Sequence, residues 1–153
     1  MLWGKESGSL TDSSTKLVRG GYAKHIEKSL REILESKQVV ADLFYVRFLQ
    51  DPEVLRHFLA VDMKRQAVLL TMALQIVVQY YVNSLPLMEA YFKILGREHK
   101  VRGIGSELYL KFRQCLLETF REFHGPDWTD ALERQWTDAL ELACQKMLSD
   151  SNG

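Results

Sequence analysis

The stretch Ala67–Val82 constrains this chain more than any other. It is the longest apolar run and carries only Gln75 and Gln79 as strongly polar interruptions. A membrane span needs ~20 apolar residues, so the run is too short to cross a bilayer comfortably. A helix apolar on nearly every side must instead be buried on more than one side. The expectation is a core helix with a second apolar body against it. Asp62 stands where it can cap this helix, predicted over 63–82, and Asn83-Ser84-Leu85-Pro86 breaks it.

The rest of the chain repeats the helical period. Ile26, Leu30, Ile33 and Leu34 fall at i, i+4, i+7 and i+8. Val39, Val40, Leu43, Phe44, Val46 and Phe48 continue after a break at Ser36-Lys37. Asp51-Pro52 is a helix-start pair, because Asp caps and Pro tolerates the first turn. It opens a short turn carrying Val54, Leu55, Phe58 and Leu59. Lys100–Gly105 holds two glycines and reads as a loop. Ser106 is expected to cap a helix bearing Leu108, Phe112, Cys115, Leu116, Phe120 and Phe123, and Gly125-Pro126 ends it. Thr129 starts a last helix with the stripe Leu132, Trp136, Leu140, Ala143 and Met147. Strand-like alternation, hairpin turns and internal repeats are all missing from the sequence. The fold class is therefore all-α, with six to eight helices.

A length of 153 residues suits one domain with one core. Residues 1–20, rich in Gly, Ser, Thr and Lys, read as a flexible extension or a pre-helix, and 21–150 as the domain. Twenty basic and twenty acidic residues cancel, which argues against nucleic acid and other polyanions as partners. No leader peptide and no membrane segment are expected. Cys115 and Cys144 fall on apolar helix faces without CxxC spacing. They read as small hydrophobes in a reducing, cytoplasmic setting.

Histidine placement narrows the function. His99 closes the run Leu85–His99, ending Leu-Gly-Arg-Glu-His, and Tyr109 follows ten positions later. The apolar helix before it contains no histidine. His25, His57 and His124 read as surface residues. Alone, His99 would be an ordinary helix-end histidine. With its surroundings it resembles the proximal side of a bacterial haem globin, of the single-domain and flavohaemoglobin type. The resemblance extends over residues ~20–148. Phe44-Tyr45-x-Arg47-Phe48 resembles the family's distal Phe-Tyr pair. Phe58, thirteen residues after Tyr45, matches the phenylalanine that packs flat on haem. Gln66-x-x-x-Leu70 resembles the distal Gln and Leu, one turn apart on one face. Tyr109 matches a tyrosine that approaches the proximal imidazole, and Trp136 a core tryptophan of the last helix.

The resemblance implies a globin fold around haem b, since no C-x-x-C-H attachment motif is present. It implies His99 as iron ligand and Tyr45 and Gln66 as donors to the bound gas. Phe44, Phe58, Leu70, Tyr109 and Trp136 are implied around the cofactor. Arg97 is a candidate partner for the propionates. O2, NO or CO are the implied ligands. Dioxygenation of NO would then need a reductase supplied by another protein. A gas- or redox-sensing module of a signalling protein is the alternative, and a haem-free helical interaction protein a third reading. The oligomeric state, homodimer included, is left open. The sequence also departs from the flavohaemoglobin pattern. That group carries a glutamate late in its last helix, bonded to the proximal tyrosine and histidine; here the region is Ser149-Asp150-Ser151, and only Asp150 offers a carboxylate.

Overall fold

The computed structural model describes residues 23–151, with side chains up to 149. Seven α-helices run in order among them: α1 (Lys24–Glu35), α2 (Lys37–Phe48), α3 (Pro52–Arg56), α4 (Met63–Asn83), α5 (Pro86–Val101), α6 (Ser106–His124) and α7 (Asp130–Ser151). A 3-10 turn, Gly125–Asp127, joins the last two. No strand occurs among the described residues. The expected extension over 1–20 lies outside them.

Local chemistry sets the helix boundaries. The Asp51 carboxylate accepts from the Glu53 N–H at 2.9 Å, and Pro52 occupies the first turn of α3. Asp62 caps α4 by accepting from Lys64 N–H at 3.0 Å and Arg65 N–H at 3.5 Å. Thr129 Oγ1 accepts from the Leu132 N–H at 3.1 Å at the head of α7. Ser84 ends α4 in the left-handed region at φ 53°, and Pro86 starts α5 directly behind it. Gly125, at φ 55°, turns the chain out of α6, where a side chain would strain the backbone. One expected cap is corrected. Gly105 holds the cap position of α6, and Ser106 is its first helical residue with no capping bond. The proximal helix also runs two residues past His99, to Val101.

The predicted stripes supply most of the core. Leu132, Trp136, Leu140, Ala143 and Met147 are all buried along α7, as are Ile26, Leu30 and Ile33 on α1. Two readings fail. Val39 and Val46 of α2 face solvent, because the buried side of that helix is Val40, Ala41, Phe44, Tyr45 and Phe48. In α4 the buried side is Ala67, Leu70, Thr71, Leu74, Val77 and Val78, while Val68, Leu69 and Met72 are about half exposed. That helix is one-sided rather than buried all round.

Two packing features position the site. The α5–α7 contact is the most extensive in the fold. At its centre stands Gly96, where a Cβ would lie 2.1 Å from the Met147 carbonyl oxygen. Only glycine permits this approach, although glycine inside a helix costs ~1 kcal/mol relative to alanine. By contrast, α4 and α5 share few contacts and lean on α7 instead. The helix bearing Gln66 and Leu70 and the helix bearing His99 are thus held by a common support.

Candidate functional site: a histidine–tyrosine pair and a distal tyrosine

On the proximal side, the last turns of α5 present His99 and the first turn of α6 presents Tyr109. His99 Nδ1 lies 3.0 Å from the Tyr109 hydroxyl, with the rings tilted at 60°. Tyr109 is buried, and burial pushes its pKa up to about 12, with the neighbouring Cys144 adding in the same direction. His99 is half-buried; desolvation, and secondarily the charge of Arg102, hold its pKa below the ordinary 6.5. It is therefore a neutral imidazole at neutral pH. Its Nε2 has no hydrogen-bond partner among the described residues. One nitrogen engaged and oriented, the other uncommitted, is the arrangement a metal-ligating histidine requires. The residues present fit a haem iron in this respect.

On the distal side, Tyr45 belongs to the buried face of α2. Its hydroxyl donates to the main-chain carbonyl of Gln66 at 3.5 Å, a long bond. Burial pushes its pKa up to about 12, so it stays a protonated donor. Phe44 is fully buried and packs edge-on to Tyr45 at 4.9 Å. Phe58 is half-buried and meets Tyr45 at 5.9 Å and Phe48 at 6.1 Å. Leu70 is buried one turn after Gln66, which is itself half-buried. Tyr45, Phe44, Phe58 and the start of α4 thus come together.

Other expected residues fall elsewhere. Arg97 is exposed on α5. Trp136 is fully buried against Phe120 at 4.5 Å, and its indole N–H donates to Ser29 Oγ at 3.0 Å. Its neighbours belong to the α1–α6–α7 core, not to the Tyr45 or His99 groups. The candidate carboxylate Asp150 lies outside the described side chains.

Two histidines read as surface residues prove otherwise. His124 is buried, with Nε2 at 2.6 Å from Ser29 Oγ and Nδ1 at 3.3 Å from Glu32. His57 is half-buried, and its Nε2 is shut from solvent without a partner among the described residues. The missed residue nearest the site is Cys144. It lines, with Tyr109, a cavity of about 300 Å³ between α6 and α7. Its place four residues after Leu140 and three before Met147 gave only an apolar-face signal, with nothing to tie it to Tyr109.

The all-α fold thus brings a histidine and a tyrosine together at the α5–α6 junction and groups a second buried tyrosine with Phe44 and Phe58. A family model described as Globin matches residues 41–147, and the chain belongs to the globin family. It is similar to leghemoglobin-1 of Lupinus luteus, at 27% identity over 77 residues that cover 48% of this chain and 50% of the relative. The chain thus matches about half the length of that curated relative. Among the described residues no helix is long and apolar enough to cross a membrane.

Proposed function

We propose that this chain is a globin of the bacterial single-domain type that holds haem b through His99 and reversibly binds O2. The observation that carries the reading is the His99–Tyr109 pair at 3.0 Å with the second imidazole nitrogen uncommitted. When bound, haem supplies an iron that takes O2, CO or NO at its open position. The chain supplies the rest. His99 would hold the iron through Nε2, with Tyr109 fixing the plane of its ring. Phe58, Leu70 and Phe44 supply apolar walls that exclude water. Tyr45, whose bond to the Gln66 carbonyl is long, would be the donor to the gas, with Gln66 the second donor. Arg97 answers the propionate charge at the surface, a contribution of about 0–1 kcal/mol for an exposed pair. Dioxygenation of NO is a further capacity of such a site, with electrons from a separate reductase.

The test is an absorption spectrum of the purified protein in ferric, ferrous and CO-bound forms, with the haem-to-protein ratio measured for the wild type and His99→Ala. A Soret band at one haem per chain, lost in the variant, is the expected result. A colourless protein, or unchanged stoichiometry and ferrous spectrum in His99→Ala, rejects the reading.

A further inference from the structure

Two adjacent residues of α7 hold α5 at two places. The Met147 carbonyl faces Gly96 at the close approach of the helices. The Lys146 ammonium donates to Glu89 Oε1 at 3.4 Å, nearer the start of α5. Glu89 and Gly96 are seven residues apart, so they lie on one side of the helix, about 10.5 Å from each other along its axis. His99 lies beyond Gly96 in the opposite direction, about 4.5 Å along the axis. A close approach fixes the separation of two helices at one point. A second tie along the axis fixes the angle between them. On this geometry α5 is a lever pivoted at Gly96. A swing of ~2 Å at Glu89 moves His99 by roughly 1 Å the other way.

The Glu89 carboxylate gathers three helices. Tyr80 of α4 donates its hydroxyl to Oε2 at 3.3 Å, and Lys93, one turn on in α5, pairs with Oε1 at 3.5 Å beside Lys146 of α7. Tyr80 is buried and packs edge-on to Phe92, itself buried, at 5.6 Å. The hydrogen bond and charge of Lys146 hold the Glu89 carboxyl below its usual range, so it is ionised at neutral pH. A lone ion pair at the surface contributes little, whereas several partners on one carboxylate form a network. Tyr80 stands on the same helix as Gln66 and Leu70, so this network also joins the distal wall to the helix that bears His99. We infer that Glu89 is a positioning residue for His99: by tying α4 and α7 to the first half of α5, it fixes the swing of that helix about Gly96 and with it the height of the imidazole.

This rests on His99 as the iron ligand, and the experiment separates the two. The holoprotein is compared with Glu89→Ala, Glu89→Gln and Lys146→Met. The readouts are the iron–histidine stretching band of the ferrous protein by resonance Raman, the rate of hemin loss to excess apomyoglobin, and the urea midpoint. Glu89→Ala should lower the band frequency, because the imidazole is drawn from the iron, and speed hemin loss about fivefold, the upper end for a partly exposed ion pair. Glu89→Gln keeps an acceptor for Tyr80 without the charge and should fall between the wild type and Glu89→Ala. Lys146→Met should shift the band the same way by less, since Tyr80 and Lys93 remain. A lowered urea midpoint with the band unmoved in both Glu89→Gln and Lys146→Met would make the network merely structural and overturn the inference, even if Glu89→Ala failed to fold. In that case the ligand assignment stands. A wild-type protein that takes up no haem, or a His99→Ala variant that retains it, overturns the ligand assignment and this inference with it.

Discussion

Tyr45 shows how one side chain can be held ready without being used up. Its ring is locked between Phe44 and Phe58, while its hydroxyl makes only a 3.5 Å bond to the Gln66 carbonyl. On the proposed function, little would be lost if that donor turned to a ligand carrying partial negative charge. A hydrogen bond to a charged group contributes ~1.5–3 kcal/mol, or roughly ten- to 150-fold in an equilibrium constant. In Tyr45→Phe the O2 dissociation rate, followed by stopped-flow displacement with CO, should rise at least severalfold. A change within a factor of two would assign the donation to Gln66. With its pKa pushed up to about 12, Tyr45 should also show no phenolate spectrum anywhere near neutral pH. At this scale the sequence was informative where a residue's role is local. Asp51, Asp62 and Thr129 cap through bonds to backbone two or three residues ahead. It was silent where the partner is distant. His124 looked like a surface residue because Ser29 lies 95 positions away.

At the scale of elements, α5 owes its placement to α7. Gly96 lies three residues before His99, so the height of the turn that bears His99 follows from the approach at Met147. Gly96→Ala would gain ~1 kcal/mol of helix propensity. Against that, the new Cβ meets a backbone carbonyl at 2.1 Å, which cannot rotate aside. Overpacking of this kind costs typically ~1–3 kcal/mol. The expected net result is a destabilisation of up to about 2 kcal/mol in urea melts, together with faster hemin loss. A variant as stable as the wild type would show that α5 is free to slide on α7. The motif Leu-Gly-Arg-Glu-His was visible in the sequence, but only the partner helix explains why its second residue is glycine.

The latch on α1 belongs to the same scale. Gln135 Oε1 accepts from the Ile26 N–H at 2.9 Å, and His124 and Trp136 both bond Ser29. Desolvation holds His124 below the ordinary 6.5, with Glu32 and Asp127 pulling the other way. The unfolded chain takes up the proton near 6.5, while the folded chain resists it. The stabilisation is therefore complete above about pH 6.5 and is lost as the pH falls from there through the folded value. His124→Gln keeps a donor and an acceptor but cannot titrate. The thermal midpoint of the wild type should fall relative to this variant between pH 7 and 5. Parallel curves would place the acid sensitivity elsewhere.

For the whole molecule, the amphipathic periods of the sequence were enough for an all-α fold, because each stripe of α1, α6 and α7 points at one shared core. They were not enough for α2 and α4, where apolar residues also stand on the solvent side. Val68, Leu69 and Met72 made α4 look enclosed when only one face is. The architecture has a consequence for turnover. The described helices all pack on one core, with α7 supporting both α4 and α5, and none forms a separate unit that could carry electrons from a nicotinamide cofactor. On the proposed function, ferrous protein saturated with O2 and mixed with NO should therefore yield about one nitrate per haem and stop in the ferric state. Stopped-flow absorbance with nitrate quantitation makes the measurement, and adding a separate reductase should restore repeated turnover. Continuous NO consumption by this 153-residue chain with a nicotinamide cofactor alone would contradict the account, because it would require an electron path that the helices do not contain.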